Sequence, residues 1–277
     1  MKRLVIALLL ALPAPAAAQG CGGHETPCEI ATGSYHFARP EGAIKGTLLH
    51  LHGGGAKASG AIRGAIATRA LARGYAVIAP QGWHPENRWQ RDWSVRAKGT
   101  SHNRDDIAFL RAVLANVATV HGVAPKPLLL SGFSRGGSMV WDIACRAPDL
   151  ADAFAPFAGA FWDDLPERCT GPVSLFHTHG WADRVVPLEG RSFRDGAVIQ
   201  GDVWASLALL RRTNGCPNRQ PETGFAADGI WLRNWSDCAA GRIDLMLHPG
   251  GHGAPAGWTD MALDWFEARL AERAPKG

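Results

Sequence analysis

Short apolar runs alternate with longer amphipathic stretches along this chain, and that alternation constrains its fold more than any other feature. Strands buried on both faces are nearly continuous in Val, Ile, Leu and Ala, whereas helices repeat apolar residues every 3.6 positions. The predicted strands are residues 47–51, 75–79, 128–131, 153–157, 173–178 and 243–247. The predicted helices are residues 61–73, 105–121, 136–146, 203–213 and 261–271. This order predicts an α/β fold with a mostly parallel, doubly wound sheet and helices on both faces.

Size and composition indicate one domain with one core. The chain has 277 residues, of which 46% are hydrophobic and 19% charged, which is too apolar for a disordered protein. We expect residues 19–277 to form a single domain. The net charge of +4 comes without any block of Lys and Arg, so no nucleic-acid partner is expected. The sequence does not indicate an oligomeric state.

The first residues have the pattern of a secretory leader. Lys2 and Arg3 precede the apolar run 4–12, and the small residues 16–18 follow two prolines. This pattern predicts a signal peptide over residues 1–18 and a secreted or periplasmic protein. The apolar run is too short for a membrane span, and no later segment is long enough. A lipid anchor on Cys21 is not favoured, because the leucine expected three positions upstream is missing.

Export places the cysteines in an oxidising compartment, where an even number favours disulfides. The chain has six cysteines, and counting alone leaves their pairing open. Nearest-neighbour pairing is the simplest hypothesis. It predicts the pairs Cys21 with Cys28, Cys145 with Cys169, and Cys216 with Cys238.

A G-x-S-x-G motif follows the predicted strand 128–131 and precedes a predicted helix. It consists of Gly132, Phe133, Ser134, Arg135 and Gly136. In this strand–turn–helix context the turn exposes the serine hydroxyl above the sheet, and the glycines avoid collisions with neighbouring backbone. Ser134 is therefore the predicted nucleophile.

A serine hydroxyl needs a base to remove its proton and a carboxylate to orient that base. Asp183 follows the predicted strand 173–178, with Glu189 and Asp195 as the alternatives. His252 lies among glycines after the last predicted strand and is the expected base, with His248 as the alternative. The oxyanion of the intermediate needs two backbone amides, one of which follows the nucleophile. We assign these to Arg135 and to Gly54 in the H-G-G-G loop after strand 47–51.

Two His-x-His pairs place both imidazoles on one face of a strand, a spacing that metals can use. They are His50 with His52 and His177 with His179, and neither pair has a third ligand nearby in sequence. We interpret all four as packing residues beneath the catalytic loops and predict no metal.

Several of these motifs together resemble secreted α/β-hydrolases of the polyhydroxybutyrate depolymerase and feruloyl esterase type. The resemblance covers most of the chain after residue 18. It includes the early cysteine pair with Gly33-Ser34-Tyr35, the Leu51-His52-Gly53 loop, the G-x-S-x-G-G turn, an H-G-x-x-D-x-x-V-P segment at residues 179–187, and Gly250-Gly251-His252. It implies the triad Ser134, Asp183 and His252, and no cofactor.

The chain departs from this family in two places. Arg135 stands where relatives have a small or amide residue, and Gly253 follows His252 where an aromatic motif is usual. The irregular tracts 81–104 and 217–229 are long enough to be functional loops. Trp83, Trp89 and Trp93 in the first tract, and Trp181 beside the acid, are candidates for a wall that binds substrate, a satellite core being the alternative.

These observations predict a secreted serine esterase acting on a small or polymeric ester, with polyhydroxybutyrate or its oligomers as the first expectation. Feruloyl or acetyl-xylan esters are an alternative substrate class. A serine peptidase of the same fold and a non-catalytic ligand-binding homologue are alternative functions. If the guanidinium of Arg135 or Arg184 reaches the cleft, it could bind the carboxylate of a hydroxy-acid oligomer.

Overall fold

A computed structural model describes residues 21–83, 91–98, 102–193, 195–227 and 229–273 of the protein. The predicted leader lies outside these residues. The strands are β1 (Cys28–Ile30), β2 (Gly33–Ala38), β3 (Gly46–Leu51), β4 (Tyr75–Pro80), β5 (Leu128–Phe133), β6 (Ala153–Phe157), β7 (Ser174–Gly180), β8 (Arg191–Phe193), β9 (Val198–Gln200), β10 (Thr223–Ala227), β11 (Ile230–Trp235) and β12 (Arg242–His248). The α-helices are α1 (Ala58–Arg63), α2 (Ala65–Ala72), α3 (Asp106–His121), α4 (Arg135–Arg146), α5 (Val203–Asn214) and α6 (Trp258–Arg273).

Ten of these strands form one sheet in the order β1-β2-β4-β3-β5-β6-β7-β12-β11-β10. The six strands from β4 to β12 in this order run parallel, and antiparallel strands extend both edges. The two short strands β8 and β9 pair separately. The predicted fold class is thus confirmed, because the buried central strands are parallel and connected through helices.

Alternating side chains of the central strands enter two separate cores. In β5, Leu128 and Leu130 pack into one core and Leu129 packs into the other. Helices α3, α4 and α5 cover the first face of the sheet, and α1, α2 and α6 cover the second. Because β5, β7 and β12 are parallel, their carboxyl ends lie along one edge, where loops of α/β sheets form ligand sites.

Two predicted elements differ from the structure. The single helix expected over 61–73 is divided into α1 and α2, because Gly64 adopts an extended conformation between them. The tract 217–229 is not a wholly irregular loop, since it carries β10, which forms a hairpin with β11. Gly229, with φ of 73°, lies in the turn of this hairpin, where glycine adopts a left-handed conformation without strain.

The three nearest-neighbour disulfides are all present. They join Cys21 to Cys28, Cys145 to Cys169, and Cys216 to Cys238, and they close loops with sequence separations of 7, 24 and 22 residues. None of the helices in the described part of the chain has the length and apolarity that crossing a membrane requires.

Candidate active site

Ser134 lies at the sharp turn between β5 and α4, with φ of 55° and ψ of −119°. Residues other than glycine rarely adopt a positive φ, so the surrounding structure holds this serine in a strained conformation. The turn is tight enough to exclude side chains at both flanking glycines. A Cβ at Gly132 would lie 2.4 Å from the Gly136 carbonyl oxygen, and one at Gly136 would lie 2.3 Å from the Leu51 oxygen. These contacts place the hydroxyl of Ser134 at the carboxyl edge of the sheet.

The structure brings Ser134, Asp183 and His252 together from three separate loops. His252 Nε2 lies 2.9 Å from Ser134 Oγ, and His252 Nδ1 lies 2.8 Å from Asp183 Oδ2. The second oxygen of the buried Asp183 carboxylate accepts hydrogen bonds from the backbone N–H groups of Val185 and Val186, at 2.8 and 2.9 Å. Since the carboxylate accepts from Nδ1, the Nε2 lone pair faces the serine hydroxyl. This arrangement suits the imidazole to remove the serine proton.

The loops that carry Asp183 and His252 are joined by backbone contacts. Trp181 N donates to His248 O at 3.0 Å, and Ala182 N donates to Gly250 O at 3.2 Å. Gly180, at the end of β7, permits this approach, because a Cβ there would lie 2.2 Å from the Gly251 oxygen. Gly180 is the glycine of the H-G-x-x-D-x-x-V-P segment, but that motif does not by itself indicate the contact with the later loop.

The alternative base and acids are placed elsewhere. His248 is buried, its Nδ1 accepts from Gly250 N at 3.1 Å, and its Nε2 lies 3.2 Å from Gly253 O. It therefore holds the loop that carries His252. The side chains of Glu189 and Asp195 are exposed, and neither contacts His252 within the described residues.

Gly54 lies beside the residue that follows the serine. A Cβ at Gly54 would be 3.1 Å from Arg135 Cγ, and one at Gly53 would be 3.5 Å from Ser134 Cβ. Within the described part of the chain, the backbone N–H groups of Gly54 and Arg135 donate no hydrogen bond. Two amides close to the serine thus have no hydrogen-bond acceptor among the residues that the structure describes.

The side chain of Arg135, a candidate for binding a substrate carboxylate, is engaged by neighbouring residues. Its Nε and Nη2 donate to the two Asp92 carboxylate oxygens at 2.7 and 3.1 Å, and Nη2 also donates to Trp93 O at 3.0 Å. The guanidinium also lies over the Trp162 ring, 4.7 Å from its centroid. These partners neutralise the charge and engage Nε and Nη2, which makes Arg135 a weaker candidate for binding a substrate carboxylate. Arg184 is exposed near Asp183, and its carbonyl accepts from Arg191.

The tryptophans proposed for a substrate-binding wall differ in their exposure. Trp93 is wholly buried and donates from Nε1 to His52 O at 2.8 Å, so its prediction as a substrate-binding residue is wrong. Trp83 is half-buried with Arg104 over its ring, and Trp89 lies outside the described residues. Trp181, in contrast, is 44% exposed beside Asp183.

Trp181 contacts a second exposed indole that the sequence prediction missed. Trp231, on β11, is 39% exposed, and the two ring centroids lie 5.8 Å apart in an edge-to-face arrangement. The Arg233 guanidinium lies 4.6 Å from the Trp231 centroid. The alternation of Ile230, Trp231, Leu232 and Arg233 could have indicated a strand with one exposed face and an outward-facing tryptophan.

The four histidines of the two His-x-His pairs are buried and hydrogen bonded. Burial lowers the pKa of His50 to about 4 and also lowers the pKa of His52, His177 and His179. His177 bonds His179, and His179 Nε2 donates to Val186 O at 2.7 Å, which braces the turn around Asp183. Among the described residues, one cluster has three potential metal-ligand atoms close together, at Cys21, Cys28 and His121, but its two sulfurs form a disulfide.

Comparison with known proteins shows that this chain is similar to esterases. No family model matches the chain. The putative esterase NocK of Nocardia uniformis subsp. tsuyamanensis is 31% identical over 240 residues, which cover 79% of this chain and 68% of NocK. Feruloyl esterase C of Emericella nidulans is 28% identical over 194 residues, which cover 68% of this chain and 61% of that protein. The chain thus spans less than two thirds of that feruloyl esterase.

A solved structure supports the assignment of the fold. The acetyl xylan esterase from Aspergillus awamori superposes with a TM-score of 0.63 at 15% identity, over 84% of this chain and 93% of that one. At this identity the likeness concerns the fold alone. The fold is the α/β-hydrolase fold, in which nucleophile, acid and histidine follow one another in that order along the chain.

Proposed function

The chain belongs to the esterase family that includes NocK and is a carboxylic ester hydrolase, and from that premise we propose that it works through an acyl-enzyme formed on Ser134. The observation that carries the proposal is the imidazole of His252, which lies within hydrogen-bond distance of both Ser134 Oγ and Asp183 Oδ2. An imidazole held between a hydroxyl and a buried carboxylate is the arrangement that activates a serine nucleophile.

In the proposed reaction, Ser134 Oγ attacks the ester carbonyl while His252 Nε2 accepts the serine proton. The N–H groups of Gly54 and Arg135 bind the oxyanion, and the carboxylate of Asp183 stabilises the imidazolium. His252 then returns the proton to the departing alcohol, which leaves an acyl ester on Ser134. A water molecule then gives a proton to His252 and attacks the acyl carbonyl. His252 returns this proton to Ser134 Oγ as the carboxylic acid leaves, which restores the free serine. None of these steps requires a cofactor.

Replacement of the nucleophile tests this mechanism. Ser134→Ala is expected to lower turnover of a p-nitrophenyl ester by several orders of magnitude, because the hydroxyl is lost while the turn remains. The midpoint of thermal unfolding should stay close to that of the wild type. Retained turnover would overturn the assignment of Ser134. Cleavage of a peptide panel in place of esters would favour a peptidase, and an unreactive wild type would favour a binding protein.

For the substrate class, we propose esters of aromatic or acetic acids on polysaccharides in place of hydroxyalkanoate polyesters. The likeness to feruloyl esterase C supports this choice. The exposed Trp181 and Trp231 provide apolar faces beside the acid, where the sugar rings of such an ester could stack. The engagement of Arg135 by Asp92 removes one argument for acidic hydroxyalkanoate oligomers.

Product analysis with matched substrates tests the substrate class. The enzyme is incubated in parallel with feruloylated xylan, acetylated xylan, polyhydroxybutyrate and hydroxybutyrate oligomers. We expect release of ferulate or acetate, and we expect Trp181→Ala to raise KM for the polysaccharide ester more than for a p-nitrophenyl ester. Faster release of hydroxybutyrate would replace this proposal with the polyester depolymerase function.

We also propose that residues 1–18 are a cleaved signal peptide and that residues 19–277 form the mature secreted or periplasmic enzyme. The three disulfides support this proposal, because such bonds persist in oxidising compartments. N-terminal sequencing of the exported protein tests it, with a new terminus near residue 19 as the expected result.

A further inference from the structure

We infer that His52 is a positioning residue for the oxyanion site, because its ring fixes the peptide group that presents the Gly54 N–H. This inference rests on the proposed serine esterase function. His52 contacts neither Ser134 nor His252 within the described residues, and it acts through the backbone of its own loop.

The hydrogen bonds of His52 define its tautomer. Its Nε2 lies 2.9 Å from Gly82 N, a group that can only donate, so Nε2 carries a lone pair. Its Nδ1 lies 2.8 Å from Gly53 O, a group that can only accept, so Nδ1 carries the proton. Burial, the largest effect, lowers the pKa of the ring; the hydrogen bond to Gly53 O and the charge of Asp92 oppose this lowering, and Arg91 and Arg104 add to it. A neutral ring with its proton on Nδ1 satisfies every one of these contacts.

The bond from Nδ1 sets the direction of the next N–H group. Gly53 O and Gly54 N belong to one planar peptide, and in a trans peptide the C=O and N–H point in opposite directions. Gly53 O is held on the His52 side, by Nδ1 at 2.8 Å and by Ala56 N at 3.1 Å. The Gly54 N–H consequently points away from His52. Gly54 packs against Arg135, the other proposed amide donor.

The His52 ring and the backbone of its loop are both held by residues that follow β4 in the chain. Trp93 Nε1 donates to His52 O at 2.8 Å, and the two rings pack with centroids 5.0 Å apart. Gly55 N donates to Arg91 O at 2.8 Å. A Cβ at Gly82 would lie 3.0 Å from the His52 ring, so the backbone there packs directly on it. His52 thus connects the residues after β4 to the loop after β3.

His50 provides a matched control on the same strand. It is also buried, and its Nδ1 bonds Ser131 Oγ at 2.8 Å. It has no hydrogen bond to the loop 53–56 within the described residues. A substitution at His50 therefore removes a buried histidine without removing the bond to Gly53 O.

Two amide substitutions separate the two ring nitrogens of His52. The short amide of His52→Asn can place an N–H near the position of Nδ1 but cannot reach Gly82. The longer amide of His52→Gln can place an oxygen near Nε2 for Gly82 N but leaves Gly53 O without its side-chain donor. If His52 acts through Gly53 O, the asparagine variant should keep more activity, whereas anchoring to Gly82 alone would favour the glutamine variant.

The experiment measures kcat and KM for a p-nitrophenyl ester, with active sites counted by stoichiometric fluorophosphonate labelling. We expect His52→Gln to lower kcat per active site by about 10²-fold to 10³-fold, the typical effect of losing one oxyanion donor, with little change in KM. His52→Asn should stay within about tenfold of the wild type, a small loss on that scale. His50→Gln should lower the unfolding temperature and leave kcat per active site within about threefold. Equal losses in the two His52 variants, or a better glutamine variant, would overturn the inference.

A second measurement uses the unmodified protein, in case the variants fail to fold. Nitrogen-15 NMR of labelled histidines reports which ring nitrogen carries the proton. We expect His52 to be neutral and protonated on Nδ1, and a proton on Nε2 would overturn the inference. A wild type that fluorophosphonate does not label would instead show that the proposed function itself fails.

Discussion

The geometry of this site depends on backbone segments that pack closely against one another. The positions that show this are Ser134, Gly132, Gly136 and Gly180. The serine adopts a positive φ that its neighbours impose, and a Cβ at any of the three glycines would overlap a backbone carbonyl oxygen. Gly180 is notable because it lies far in sequence from the nucleophile and controls the loop that carries His252. The geometry of the triad is thus determined by residues without side chains as well as by the triad itself.

Gly180→Ala should lower activity without touching any triad residue. The added Cβ would lie 2.2 Å from Gly251 O and 2.3 Å from Gly250 O, so the loop must move. His252 follows directly, and a shift of about 1 Å in a reacting group costs on the order of 10²-fold in rate. We expect a loss of kcat of that order, measured per active site with a p-nitrophenyl ester.

Gly253→Ala is the matched control for Gly180→Ala. Gly253 lies on the other side of His252, and a Cβ there meets no heavy atom within 4 Å. Its kcat should stay within about twofold of the wild type, as expected for a substitution without steric conflict. If Gly180→Ala also kept full activity, the contact between the two loops would have no part in placing His252.

At the scale of single residues, the sequence predicts which polar side chains meet at the site better than it predicts which apolar side chains are buried. Ser134, Asp183 and His252 could be selected because glycines and strand ends mark them. Trp93 was misjudged because its burial depends on His52, which lies 41 residues away in sequence. The role of Gly180 was missed because the backbone that it contacts belongs to a loop about 70 positions later, and the H-G-x-x-D-x-x-V-P motif that contains Gly180 does not indicate that contact.

At the scale of the elements, the segment 91–98 is attached to helices α3 and α4. The segment has no regular secondary structure, and buried carboxylates on two helices hold it. Asp106 on α3 accepts from Ser94 N at 2.6 Å, and Asp142 on α4 accepts from Arg96 N at 2.6 Å. The Asp92 carboxylate binds Arg135 at the start of α4. The segment is therefore attached to the helix that begins at the nucleophile, and it supports the oxyanion loop through Trp93.

Asp142→Asn should change how stability depends on pH. Burial raises the pKa of the Asp142 carboxyl from 3.8 to about 6. Between these values the folded protein holds a proton that the unfolded chain has released, so this group makes the free energy of unfolding fall as pH rises. The asparagine oxygen can still accept from Arg96 N and carries no charge. From pH 4 to pH 7 the stability difference should shift toward the variant, by on the order of 2 kcal/mol.

Urea unfolding of the wild type and Asp142→Asn at pH 4, 5, 6 and 7 measures this shift. Contributions from the other titrating groups largely cancel in the difference between the two proteins. A stability difference that stays constant over this range would show that Asp142 titrates normally in the folded state.

The elements themselves were predicted where their periodicity is strong. The six parallel strands and the helices between them follow from buried apolar runs, and their predicted bounds agree with the structure to within a few residues. The hairpin of β10 and β11 was missed because edge strands that face solvent mix polar, small and aromatic residues. The division between α1 and α2 depends on the extended backbone of Gly64, and glycine within a helical pattern does not by itself predict a break.

On the scale of the whole molecule, the parallel sheet brings residues that are far apart in sequence into contact. The hydrogen bond from Ser134 to His252 spans 118 residues, and the one from His252 to Asp183 spans 69 residues. Parallel order makes this possible, because the carboxyl ends of β5, β7 and β12 face the same edge. The sequence predicts which loops meet at this edge. Recognition of the substrate depends on exposed side chains such as Trp181 and Trp231, and their contact follows from the three-dimensional fold and not from a local pattern.

Site-resolved labelling with a fluorophosphonate tests most directly whether this convergence forms an active nucleophile. The wild type and His252→Ala are treated with the probe, digested, and analysed by peptide mass spectrometry. We predict one adduct per wild-type chain, on Ser134, and a labelling rate that falls by several orders of magnitude in His252→Ala, because the base that activates the hydroxyl is gone. An adduct on another residue, or labelling of Ser134 at the same rate in both proteins, would contradict the account.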